Sequence, residues 1–163
     1  MPNWCEGNLK IRGKKKDVIA FLENEILKVY QSKLFEKPKT ENIKMEFIGY
    51  CYVYALEADK SFLYLKDSSR CFIEQNRIEI YVYSDTNKSP TYVTLNIKQA
   101  WGIEEDLFEK LSKKYNLDFN IFASEKGMEF EQYIAIIDGE ITRNETKEYD
   151  DFYFEAINPE LGG

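Results

Sequence analysis

The sequence predicts an α+β protein: a two-layer α/β sandwich, ferredoxin-like, with an insertion after the first helix and an extra C-terminal β-hairpin. Three observations carry this expectation. Several segments alternate apolar and polar residues at period two, two others repeat apolar residues at three- and four-residue steps, and the helical segments fall between strand segments. Helices returning onto a largely antiparallel sheet are the simplest way to bury both patterns.

The opening MPNWCEGNLKIRG holds the first strand. Cys5, Leu9 and Ile11 share one face, while Trp4, Glu6, Asn8, Lys10 and Arg12 share the other, up to Gly13. This register points Cys5 into the core. In DVIAFLENEILKVY, Val18, Ile19, Leu22, Ile26, Val29 and Tyr30 keep helical spacing, so a helix is expected from Asp17 to Tyr30. Lys14, Lys15 and Lys16 sit just ahead of it, where the helix dipole disfavours positive charge. With Lys10 and Arg12 they form either a small phosphate-facing patch or an ordinary solvated run.

FEKPKTENIK reads as a loop, and residues 43–70 hold apolar and aromatic runs whose path the pattern does not define. In CFIEQNRIEIYVYSD, Ile78, Ile80 and Val82 alternate with Glu79, Tyr81 and Tyr83. TYVTLNIKQ follows as the expected antiparallel hairpin partner, with Val93, Leu95 and Ile97 on one face. IEEDLFEKLSKKYN is the second helix. Ile103, Leu107, Leu111 and Tyr115 step by four, and Glu104, Glu105 and Asp106 in the first turn with Lys113 and Lys114 in the last match the dipole. LDFNIFAS is a strand, Lys126–Gly127 a turn, and MEFEQYIAIID pairs with EITRNETKEY across Asp138–Gly139. DDFYFEAI adds a short edge strand.

At 163 residues the chain has the size of one ordinary domain, and 1–163 reads as a single one. With 44% hydrophobic and 15% aromatic residues it can offset its ordering entropy by burial, which excludes wholesale disorder. The three cysteines, at 5, 51 and 71, are scattered and odd in number, and no signal-like apolar segment opens the chain. They read as small buried hydrophobes in a reducing cytoplasm. No apolar run approaches membrane-spanning length, so a soluble protein without a membrane partner is expected.

The net charge of −7 is uneven: residues 1–124 hold 19 basic and 18 acidic side chains, and residues 125–163 hold 3 basic and 11 acidic. The excess acidity marks the C-terminal hairpin, Glu140 through Asp151, either as a solvated surface or as a contact for a basic partner.

Histidine is absent, which removes the commonest general base and metal ligand, and with them any Ser-His-Asp, Cys-His or histidine–zinc arrangement. No dinucleotide, phosphate-loop or EF-hand motif is present, and no cofactor is expected. Carboxylates remain. Glu129 and Glu131, about 7 Å apart on one face of a strand, could hold Mg²⁺ with Asp150 and Asp151, or simply form an acidic solvent face. Nucleic-acid binding would use Tyr81 and Tyr83 as a stacking face beside Arg70 and Arg77, with the Lys14–Lys16 run supplying charge.

The stretches PNWCEGNLKIRG, SSRCFI, QAWGIEEDLFEKLSKKYNLDF and EKGMEF resemble a family of small uncharacterised plasmid, phage and integrative-element proteins, the YubB-like or Api92-like ferredoxin-like group. The resemblance covers about half of the chain. It implies the same fold and an origin in mobile DNA, and it supplies no reaction. The family features it carries over are Asn3, Trp4, Cys5, Gly13, Arg70, Trp101, Gly127 and Met128; the chain departs at Gly7 from the family's more enteric-like members, which carry Asn there. A site is expected where Trp4, Arg70 and Trp101 converge. The resulting expectation is a non-enzymatic accessory protein with a protein partner; a nucleic-acid-binding protein and a divalent-metal-dependent enzyme are the alternatives.

Overall fold

The strand that opens the chain, β1 (Trp4–Gly13), lies near the middle of a large antiparallel sheet. In the computed structural model, which describes residues 3–31, 36–56, 61–82 and 89–163, β1 is flanked by β9 (Thr91–Ala100) and β10 (Asp118–Glu125). Gly7 makes the second contact possible, since a Cβ there would fall 1.9 Å from the Phe122 carbonyl oxygen. No side chain fits, so an Asn at this position is incompatible with the pairing.

Beyond β10 come β11 (Phe130–Ile137) and β12 (Glu140–Glu148), joined by a tight turn with Asp138 and Gly139 both at positive φ, as a type I′ hairpin requires. Beyond β9 come β7 (Cys71–Ile73), β6 (Ser61–Leu65), β2 (Ile26–Tyr30) and β3 (Thr40–Asn42), completing nine strands. A second sheet of three, β4 (Glu46–Ile48), β5 (Cys51–Ala55) and β8 (Arg77–Tyr81), sends Ile78 and Ile80 into the same core.

The helices are few. α1 (Lys15–Glu25) buries Val18, Phe21, Leu22 and Glu25, and α2 (Glu105–Tyr115) buries Phe108, Leu111 and Ser112. Both lie on the face of the sheet that carries Leu9, Ile11 and Phe119; Phe21 and Phe108 each meet Phe119, at 5.6 and 5.8 Å. Glu25 is buried where the helices touch. Burial alone would raise its carboxyl, but the Lys114 ammonium at 2.7 Å and the Tyr115 hydroxyl at 2.5 Å hold it below the ordinary carboxylate range.

The expected two-layer ferredoxin-like sandwich is therefore wrong, and the chain is predominantly β. Although α1 and α2 connect strands of the large sheet, β6 and β7 are inserted into that sheet between β9 and β2. The expected helix from Asp17 to Tyr30 ends at Glu25. Ile26 takes an extended backbone, and Ile26–Tyr30, rich in β-branched and aromatic residues, pairs with β6 and β3. The expected β8–β9 hairpin does not form either, because β8 pairs with β5 and its isoleucines close the core from outside the large sheet. The C-terminal edge strand is instead a short helix, α3 (Phe152–Glu155). Among the described residues no helix is long and apolar enough to cross a membrane.

Candidate functional site

Alternation along β1 buries Cys5 completely and turns Trp4 to the opposite face, where it meets Phe72 edge-on at 5.6 Å with the Lys98 ammonium over its ring at 5.3 Å. The register carries the other predicted residues to the same end of the sheet. Ala100 lies opposite Trp4, so Trp101 follows beside Asn3, and its N–H donates to the Asn3 carbonyl at 2.9 Å. Cys71 lies opposite Gln99, which places Arg70 at the same end. Trp4, Arg70 and Trp101 therefore come together at the ends of three adjacent strands. The β10–β11 turn, with Gly127 and Met128, emerges beside them. From β10 to β7 is three strand spacings, about 14 Å.

Trp101 (65%), Met128 (67%) and Arg70 are exposed here, on three different connections. Arg70 and Trp101 both hold left-handed backbone, with φ of 60° and 71°. For a residue with a Cβ this costs about 1–2 kcal/mol, and it persists only where the surroundings over-determine it.

Those surroundings are explicit. In the β6–β7 turn, the Arg70 N–H donates to Tyr64 Oη at 3.1 Å, and that hydroxyl donates to the Ser68 carbonyl at 2.7 Å. Ser68 Oγ donates to the Leu65 carbonyl and accepts from the Cys71 N–H. Glu104 stands at the start of α2 but does not cap it. Its Oε2 accepts from the Ser69 N–H and from Nε2 of the fully buried Gln99, both at 2.8 Å, tying the β6–β7 turn to the β9–α2 connection.

The other two connections are held by the same device. Gln132 Oε1 accepts from the Ile103 N–H at 2.8 Å and from the Cys5 thiol at 3.6 Å, and buried Glu125 accepts from the N–H groups of Gly127 and Met128 at 2.8 and 2.5 Å. Each loop is thus held by polar side chains that accept from its backbone N–H groups. The result is a rigid platform that presents an indole, a guanidinium and a thioether to solvent. Cys5 and Cys71 lie beneath it, and burial pushes both thiols up to about 12, which makes them inert.

The remaining predicted residues lie elsewhere. Lys14, Lys15 and Lys16 open α1 at the far end of β1, about 30 Å from Trp4 at strand rise, and Lys15 sits over the Tyr52 ring at 6.0 Å. Lys10 and Arg12 occupy the opposite face of β1 from the helices, with Arg12 paired to Asp118 at 2.7 Å. Tyr81 is exposed on β8 and donates to Glu79, which also pairs with Arg77. Tyr83 lies outside the described residues.

Glu129 and Glu131 do not share a strand face. Glu129 belongs to the turn, at φ 60°, and Glu131 is fully buried, accepting from Tyr133 Oη (2.7 Å), Tyr149 Oη (2.5 Å) and the Ile157 N–H (2.9 Å). Its carboxylate anchors the C-terminal segment. Among the described residues no group of three or more Cys, Asp and Glu is placed to hold a metal ion. In the acidic hairpin β12 is exposed except at Ile141, which is partly buried against the core, and Arg143 pairs with Glu145 at 2.6 Å.

Sequence reasoning missed Tyr64, Gln99, Glu104, Glu125 and Gln132 as the residues that build the platform. A signal existed for two. Gln99 continues the core parity of Val93, Leu95 and Ile97, and Glu125 that of Phe119, Ile121 and Ala123, so each is a polar group where the pattern calls for an apolar one.

The class that fold and site define is a predominantly β protein whose large antiparallel sheet displays a loop-built surface at one end. No protein-family model matches the chain, and neither a curated protein nor a solved structure matches it.

Proposed function

We propose that the chain is a non-enzymatic protein-binding module whose contact surface is the platform of Arg70, Trp101 and Met128. The observation that carries this reading is the exposure of these three side chains on connections at one end of the sheet, each held by polar side chains. Trp, Arg and Met are enriched where proteins meet, and a few Trp and Arg anchors supply most of the binding energy. Rigid presentation lowers the entropy lost on association. The arrangement offers no catalytic chemistry of its own: Cys5 and Cys71 are raised thiols, and the buried carboxylates of Glu125 and Glu131 are occupied by donors. A role as an accessory protein of a mobile element rests on the resemblance of the opening segment and its companions alone.

The test is capture of partners by the tagged protein from a lysate of the organism that encodes it, with and without nuclease. Wild type is compared with the Trp101→Ala/Arg70→Ala double variant. A protein retained after nuclease and lost with the double variant supports the reading. Material lost on nuclease treatment, or retained equally by the variant, contradicts it.

A further inference from the structure

Next to Trp4, on the side of the sheet away from the helices, lies an open groove of about 410 Å³ walled by Trp4, Phe62, Phe72 and Leu56. Its volume is in the range of small-ligand sites. The rings hold one another edge-to-face, Trp4 to Phe72 at 5.6 Å and Phe62 to Phe72 at 5.4 Å, so the walls are stiff.

Among the described residues, the charges at this groove are unbalanced in one direction. The Lys98 ammonium is committed to Glu6, against which it is closely paired, and lies over the Trp4 ring. Glu74, at the rim, is 3.9 Å from the same ammonium and its side chain is 47% exposed. Two carboxylates share one cation, leaving one negative charge beside aromatic walls. An anionic ligand is disfavoured there. A group that is positively charged and has apolar bulk suits both features: the aromatic faces attract cations and the rim carboxylate neutralises them. Lys98 over Trp4 is an internal instance of the same contact.

We propose that this groove binds an alkylammonium group, with Trp4, Phe62 and Phe72 as walls and Glu74 as counter-ion. The group belongs either to a free organic amine or to a lysine side chain of a partner. The site is distinct from the Arg70–Trp101–Met128 platform and does not depend on it.

The experiment is titration of the full chain with choline, with its neutral isostere 3,3-dimethylbutan-1-ol, and with N-acetyl-lysine amide at matched ionic strength. It is followed by amide and indole NMR shifts. The expected result is saturable choline-dependent shifts at Trp4, Phe72 and Glu74, binding of the neutral isostere about tenfold weaker, and several-fold weaker choline binding in Glu74→Gln with an unchanged melting temperature. Tighter binding of the lysine derivative than of choline assigns the site to a partner's side chain, and the reverse order assigns it to a free amine. Equal binding of choline and its isostere, shifts that do not saturate, or indifference to Glu74→Gln would overturn the proposal. The platform reading is untouched by any of these, since it is read from partner capture by Trp101 and Arg70 variants.

Discussion

Arg70 offers a clean separation of backbone strain from side-chain function. Its φ is 60°, its side chain is exposed, and the bond that fixes its position comes from its own N–H to Tyr64. Replacement by Ala keeps the Cβ and therefore the left-handed penalty of about 1–2 kcal/mol. Replacement by Gly removes that penalty but adds unfolded-state entropy worth about 0.4–1 kcal/mol. The difference leaves Arg70→Gly more stable than Arg70→Ala by about 0.5–1 kcal/mol, or roughly 1–4 °C in Tm for a chain of this size. Urea titration and thermal melting of both variants measure it. Lys10 provides the control: it is exposed on β1 and does not have positive φ, so Lys10→Gly should be less stable than Lys10→Ala. If Gly at 70 is no better than Ala, the turn is not strained and the over-determined loop is misread. Both Arg70 variants should lose partner binding equally, because both lack the guanidinium.

Three other outcomes follow from the same geometry. Glu131→Gln places a donor against the Tyr133, Tyr149 and Ile157 donors and should cost about 2–3 kcal/mol, with hydrogen-exchange protection lost at the Ile157 amide but kept at Leu9; uniform loss would contradict local anchoring. Burial, and then the Glu131 carboxylate, raise the phenols of Tyr149 and Tyr133, while burial and Glu25 raise that of Tyr115. Unfolded tyrosines release their protons near about pH 10, whereas these folded ones keep theirs, so the stability they contribute is full below that pH and is lost as pH rises further. The fall in Tm between pH 9 and 11 should shrink in Tyr149→Phe; an unchanged slope would contradict the assignment. All three cysteines are buried, so a thiol-reactive disulfide reagent at pH 8 should modify none in the native protein and all three in denaturant. Rapid native labelling of Cys5 or Cys71 would show that the platform opens.

Where periodicity was long and unambiguous, the sequence was a sound guide. The alternation in β1 and β9, the amphipathic α2 and the Asp138–Gly139 hairpin were all legible. The failures have physical causes. Ile26, Val29 and Tyr30 happen to continue the helical spacing of α1, yet their β-branched and aromatic character suits a strand, and tertiary pairing with β6 decided the matter. The described residues between 43 and 70 form short strands: β4 pairs with β5 and β6 with β7 nearby, but β5 pairs with β8 and β6 with β2 at a distance, and no local pattern encodes which sheet a strand of three or five residues joins.

The candidate site was half legible. Trp4, Arg70 and Trp101 were expected to converge; the register sets them at the ends of three adjacent strands, with the Trp4 ring turned against Phe72. Glu104 and Gln132 gave no such signal, because their backbone N–H partners, on Ser69 and Ile103, are distant in sequence. Glu104 shows the limit most clearly: its place at a helix start is sufficient by itself to explain an acidic residue, and its actual use is to bridge Gln99 and Ser69.

The most direct measurement of the central claim is site-specific photo-crosslinking in the encoding organism, with Trp101→p-benzoylphenylalanine compared with the same replacement at Tyr92, an exposed aromatic on the same sheet away from the platform. The platform account predicts a discrete protein adduct at position 101 that survives nuclease and is absent at position 92. No adduct at 101, or adducts equal at both positions, would contradict it.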